Sequence, residues 1–226
     1  FMIPKVVYMT HESYDIIERK PKLLNCVKSW KKHKDIAHVF HDKTMREQFI
    51  KDNFDDSVYE AYNKFPMGVM KADLWRYCVI YIHGGIYADT DTELLCNPND
   101  LIDDEAQLVI APEPGCNFFC QWTFAAPAKS PILKEIIDLC VYRTLNTEIK
   151  GEHIIHFLTG PAVFTDAIKA YLKKKEMKVF GKCADFKNYP SKVLKVIPSD
   201  VFHRSMIRHH YAGDQGWKKE RKGILF

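Results

Sequence analysis

The apolar positions of this chain alternate between short runs and helical stripes. Residues 3–8 are apolar apart from Pro4 and Lys5, and polar Thr10, His11, Glu12 and Ser13 follow, which predicts a buried first strand opening into a loop suited to a ligand edge. From Pro21 an amphipathic stretch carries Leu24, Val27 and Trp30, and residues 38–41 read as a second strand ending at Asp42. Met45, Phe49 and Ile50 continue as a helix, and Val58, Tyr62 and Phe65 as another, up to Pro66. Over residues 67–83 Val69, Leu74, Trp75, Cys78, Val79 and Ile82 form a broad helical stripe, stopped by Gly84 and Gly85. Ile86, Tyr87 and Ala88 then predict a short strand running into the acidic turn Asp89-Thr90-Asp91, with Leu94 and Leu95 beyond. Residues 108–111 and 118–126 read as further strands, 131–142 and 161–173 as helices, and Val179 and 193–197 as late strands. The order is mixed α/β.

Composition narrows the class. A chain of 226 residues, 46% of them hydrophobic, is long enough for one sizeable core, and one domain is expected. The net charge of +4 is spread along the chain, which argues against a dedicated nucleic-acid binder and is compatible with a phosphate-bearing small ligand. The seven cysteines are odd in number and lack zinc spacing, so free thiols in a reducing compartment are expected. No apolar run approaches the ~20 residues of a membrane span and no signal-peptide pattern opens the chain, which predicts a cytoplasmic protein, or one peripheral to the cytosolic face of a membrane. Lys173, Lys174 and Lys175 read as a solvated helix end.

Chemistry is expected at the acidic turn. Asp89 and Asp91 stand two apart after a strand, so their carboxylates converge whether the strand persists or turns. Magnesium or manganese favours such hard oxygen donors together with phosphate oxygens. Asp73 and Arg76 lie three apart on the preceding helix and share one face, and the permissive glycines let the chain fold back to bring them beside Asp89. There an Arg can fork onto phosphate and an Asp can accept sugar hydroxyls. His153 and His156 are also three apart, but without a third ligand of matching spacing a structural role is expected. The aromatic cluster Phe118, Phe119, Trp122 and Phe124 reads as core, with Trp122 open to a second role lining an acceptor groove.

Lys71-Ala72-Asp73, Arg76, Gly84-Gly85-Ile86-Tyr87 and Asp89-Thr90-Asp91 together resemble the signature of glycosyltransferase family 32, which includes yeast outer-chain mannosyltransferases and bacterial capsule transferases and is similar to the catalytic domains of clostridial glucosylating toxins. The first strand and Trp30 are similar to the family's opening strand and first-helix Trp. The likeness is dense over residues 3–96, and beyond it thins to Thr159-Gly160-Pro161 and the segment from His209 to Trp217.

The resemblance implies a GT-A fold: one Rossmann-like α/β/α domain with a mixed sheet, residues 3–96 forming the nucleotide-sugar half and 97–226 the acceptor side and closing segment. It implies a manganese or magnesium cofactor, a nucleotide-sugar donor (a uridine diphosphate sugar first, a guanosine diphosphate sugar second), a glycan, glycolipid or protein acceptor, and retention of anomeric configuration. Carried over residue by residue, Asp91 ligates the metal, Asp89 reaches ribose, sugar and metal, and Tyr87 meets the nucleoside. Asp73 and Arg76 hold the donor sugar, and Tyr8, Thr10 and Thr90 join the donor site. His210 completes the metal shell, with His209 and Asp214 as alternatives, and Trp217 donates to a phosphate; Gln121 is a candidate on the sugar face. Two rival functions remain: a haloacid-dehalogenase-type phosphohydrolase using Asp89, whose loop normally follows an N-terminal strand, and a noncatalytic carbohydrate-binding module.

Overall fold

The structure, a computed structural model, describes residues 2–115, 117–190 and 192–212. Strand β1 (Val6–Thr10) leads through helices α1 (Tyr14–Arg19) and α2 (Pro21–Lys31) to β2 (Ala37–His41), the predicted strand, helix, strand unit with one extra helical turn. Helices α3 (Lys43–Asn53), α4 (Asp56–Lys64) and α5 (Gly68–His83) follow, then β3 (Gly85–Ala88) and β4 (Thr92–Leu94). Strands β5 (Leu108–Ile110) and β6 (Thr123–Ala126) precede helices α6 (Pro131–Asn146), α7 (Ile154–Leu158) and α8 (Pro161–Lys174), and β7 (Leu194–Val196) and β8 (Ile207–His209) come last.

Six strands form one sheet in the order β2-β1-β3-β6-β5-β7, in which β6 alone runs against the others. Residues alternate between its faces as the pleat requires. Tyr8, Tyr87, Phe124 and Ile110 enter the core under α3 to α8, whereas Val7, Met9, Ile86 and Ala125 enter the core under α2. The outcome is an α/β/α sandwich with a mixed sheet, as expected. Strands β4 and β8 form a separate antiparallel pair with Thr92 opposite His209.

Helix α5 is the element that makes the site. Asp73, Leu74, Trp75, Arg76, Tyr77, Cys78, Val79 and Ile80 are consecutive and all buried, so the helix has almost no wet face. A charge on such a helix must find a partner indoors. Its exit also demands glycine: Gly84 and Gly85 have φ of 70° and 122°, and a Cβ on Gly85 would stand 2.7 Å from the Val6 carbonyl oxygen. Gly85→Ala is therefore expected to lose about 1–3 kcal/mol from backbone conformation alone, read as a lower urea midpoint with unchanged slope; an unshifted midpoint would contradict this account of the turn.

Two expectations are corrected, and three short elements had none. Residues 118–126 were expected as one strand, but only Thr123–Ala126 pair in the sheet. Upstream the chain bends, with the Phe119 N–H given to the Thr165 hydroxyl (2.9 Å) and the Cys120 N–H to the Ala111 carbonyl. Val179 lies in a loop and not in a strand: it pairs with no strand of the sheet and its side chain is exposed. Helices α1 and α7 and strand β8, only six, five and three residues long, are too short to leave a periodic signal.

Candidate active site

The strand order turns around at β1 and β3, and the crevice beyond their carboxyl ends is where an open α/β sheet accepts ligands. A cavity of about 530 Å³ lies there. Thr10, His11 and Glu12 line it after β1, Asp89, Thr90 and Asp91 after β3, and Asp73 and Arg76 from α5.

Arg76 organises the floor of the cavity. Its Nη2 pairs with Asp73 Oδ1 at 2.9 Å and with Asp89 Oδ1 at 3.2 Å. Its Nη1 donates to the Gln121 carbonyl at 3.0 Å and to the Gln121 side-chain oxygen, and its guanidinium lies 4.5 Å from the centre of the Tyr87 ring. The Tyr87 hydroxyl donates to Asp89 Oδ1 at 2.5 Å. Asp73 accepts further bonds from the Thr159 hydroxyl (2.8 Å) and the Gln121 amide (3.3 Å). Burial pushes the Asp73 carboxyl up to about 6, while Arg76 and the Thr159 and Gln121 bonds hold it from rising further. Burial also raises Asp89, with Arg76 opposing and Asp91 adding to the rise. The guanidinium is held firmly in its charged form by Asp89, Tyr87 and Asp73 against the cost of burial.

The acidic turn is shaped by its own backbone. The Asp89 N–H donates to the Trp122 carbonyl (2.9 Å), and the Asp89 carbonyl accepts from the Thr92 N–H (3.1 Å) and hydroxyl (2.6 Å). Trp30 braces the same point, its indole N–H reaching the Thr92 carbonyl at 3.2 Å. Pairing of β4 with β8 then brings His209 Nε2 to 3.0 Å from Asp91 Oδ1. Asp89, Asp91 and His209 thereby offer donor atoms within 4.8 Å of one another. The two hard carboxylates suit manganese or magnesium, and the imidazole adds a softer third donor that favours manganese of the two. Burial lowers the His209 pKa but the hydrogen bond and charge of Asp91 outweigh it, so the net shift is upward.

The expected residues do not all meet. Asp73, Arg76, Tyr87, Asp89, Thr90 and Asp91 share the cavity wall. His210, expected in the metal shell, lies instead against Glu93 (2.8 Å), because successive residues of an extended segment face opposite ways and the register gives His209 to Asp91. Tyr8 is absent from the cavity wall: it packs in the sheet core, its ring stacked 5.9 Å from His83. Thr10 does line the wall, its hydroxyl donating to the His41 carbonyl (2.6 Å) and accepting from Arg46 (2.8 Å). Arg76, expected on phosphate, has both terminal nitrogens engaged by carboxylates and Gln121. Asp214 and Trp217 lie outside the described residues.

Sequence reasoning missed Glu113 and Tyr211 on the wall, and the bond from Thr159 to Asp73. Thr159, beside Gly160-Pro161, and Tyr211, next to His210, stood in recognised segments without a role of their own, and Glu113 stood in none. Trp122 is both buried core and cavity wall, and His156 lines the cavity but joins no metal-ligand cluster among the described residues.

Residues 21–108 match the family described as glycosyltransferase sugar-binding region containing DXD motif. The chain is 32% identical over 198 residues to the initiation-specific alpha-1,6-mannosyltransferase of Schizosaccharomyces pombe, a match covering 75% of this chain and 49% of that protein. It is 28% identical over 147 residues to the protein of the same name from Candida albicans, covering 51% of this chain and 38% of that one. The chain thus spans about half, or less, of the length of these relatives. Among solved structures it resembles the PaToxG glycosyltransferase, with a TM-score of 0.56, 17% identity, and coverage of 76% of this chain and 70% of that one. At that identity the likeness speaks for the fold, a GT-A architecture.

Proposed function

We propose, from the match of residues 21–108 to the glycosyltransferase sugar-binding region containing a DXD motif, that the chain transfers a sugar from a nucleotide diphosphate sugar with the help of manganese or magnesium. The observation that carries the proposal is the convergence of Asp89, Asp91 and His209 at the rim of a cavity that opens beyond β1 and β3. A cation held by these three side chains would neutralise charge on the departing diphosphate.

The chain's own residues divide the remaining work. Arg76 fixes Asp73 and Asp89 in one buried network, so that Asp73 Oδ2, Asp89 and the Gln121 amide are preorganised acceptors and donors for sugar hydroxyls. Thr10, His11, Glu12, Val69 and Ala72 also line the cavity, and on this reading they receive the nucleoside. Catalysis on this reading is electrostatic, with retention of configuration as the proposed outcome, read from the C1–H1 coupling constant of the product. The names of the relatives favour a mannosyl donor, hence guanosine diphosphate ahead of uridine diphosphate. A glycan, glycolipid or protein is the proposed acceptor, and no described helix is long and apolar enough to cross a membrane.

Thermal unfolding with a panel of nucleoside diphosphates and nucleotide sugars, with and without manganese, tests this. A ligand at 100 times its Kd adds about 2.7 kcal/mol, roughly 5–10 °C for a chain of this size. Manganese-dependent stabilisation by one nucleotide supports the transferase; phosphate release through an aspartyl-phosphate on Asp89 would favour the hydrolase, and neither result the binding module.

The third donor has its own test. His209→Ala, which removes a direct donor, is expected to weaken manganese binding by at least about 10–100-fold, the loss typical of removing even an outer-shell partner of a ligand, whereas His210→Ala leaves it intact. The reverse pattern by manganese electron paramagnetic resonance would return His210 to the metal shell.

A further inference from the structure

A metal-bound histidine almost always donates its second ring N–H to a carboxylate or carbonyl, and that bond sets the orientation of the ring. His209 lacks it among the described residues: Nδ1 is buried with no hydrogen-bond partner there. Some other contact must hold the imidazole toward Asp91. Trp122 supplies one, its ring stacked on that of His209 with centroids 4.5 Å apart and planes 22° from parallel. Tyr211 supplies another at 4.0 Å and 47°, but it is 61% exposed where Trp122 is 5% exposed. The indole has a fixed place of its own, because Nε1–H donates to Glu113 Oε1 at 2.9 Å. The same residue accepts the Asp89 N–H on its carbonyl.

We propose that Trp122, anchored by Glu113, is a positioning residue for the metal site, holding the His209 imidazole by stacking in place of the missing hydrogen bond and the Asp89 backbone by its carbonyl. This rests on the metal-dependent reading above. The arrangement gives Glu113 a role that needs no contact with the metal or the reacting atoms: its oxygen accepts the indole N–H. Cys120 and His203 stand near Glu113 as well, but His203 Nε2 is 3.0 Å from the Pro112 carbonyl, a bond it makes by donating, which leaves that nitrogen no lone pair for a metal.

The test compares Glu113→Gln with Glu113→Leu, and Trp122→Phe with Trp122→Leu, by manganese titration and by the nuclear magnetic resonance position of the His209 Cε1–H in metal-free protein. Glu113→Gln keeps an oxygen to accept the indole N–H and is expected to retain wild-type manganese affinity. Glu113→Leu and Trp122→Leu are expected to lose about 10–100-fold, with Trp122→Phe between the wild type and Trp122→Leu. The His209 proton, shifted upfield by the indole ring current, is expected to move downfield in Trp122→Leu before any metal is added. Folded variants, judged by circular dichroism, that bind manganese like the wild type and leave that proton unmoved overturn the positioning role. Should Trp122→Leu not fold, the Glu113 pair decides alone. Wild-type protein that binds no manganese overturns the metal reading itself, and this inference with it.

Discussion

Asp91→Asn is expected to abolish manganese-dependent turnover, by a factor of at least about 10²–10³, the scale on which a single preorganised electrostatic group acts. The substitution preserves volume and removes one negative charge from a side chain only 9% exposed that faces His209 at 3.0 Å. The fold should tolerate the change, since the turn is set by backbone bonds to Thr92 and Trp122 that the substitution leaves alone. The measurement is donor consumption with manganese, beside the nucleotide-induced melting shift. Full turnover in Asp91→Asn would remove Asp91 from the metal site and, with it, the main support for the mechanism.

Arg76→Met carries the second large effect, and it falls on stability as well as activity. Removing one partner of a buried ion pair typically costs about 3–5 kcal/mol, because the remaining charge is left uncompensated. Here two carboxylates, Asp73 and Asp89, lose their common partner. The penalty must depend on pH, and its sign follows from Asp73. Its folded-state pKa is raised to about 6 from 3.8, so the native state holds the proton more tightly than the unfolded chain, and stability falls as pH rises between those values. Arg76 opposes that rise, and its loss moves the folded pKa higher still and extends the loss of stability upward in pH. Urea denaturation should therefore show a wider gap between wild type and variant at pH 8 than at pH 5. Equal gaps would mean that the Asp73 charge is not what Arg76 compensates. Arg76→Lys, which keeps the charge but not the fork, should fall between the two.

Both predictions depend on residues that were legible in the chain before its fold. Asp73, Arg76, Tyr87, Asp89 and Asp91 lie within nineteen consecutive positions, on a helix, a glycine turn and a strand that succeed one another directly. Local geometry relates them: a helix face relates 73 to 76, and the glycines return the chain within two residues. The strong stripe of α5 was equally plain, because its apolar residues outnumber what one face requires.

What the sequence determined by itself was this local frame, together with the mixed α/β order and the acidic turn as the place for chemistry. The reason is range: helical periodicity, glycine turns and a two-residue carboxylate spacing are properties of short segments. Only the tertiary structure decided which histidine meets Asp91, since the side-chain direction in β8 depends on its register against β4, and a shift of one residue would exchange His209 for His210. It likewise decided that Thr159, eighty-six positions from Asp73, completes the buried network, and that Glu113 and Trp122 stand behind His209. These contacts join segments far apart in the chain, and only the packing of the folded protein brings their polar groups within hydrogen-bond or stacking distance.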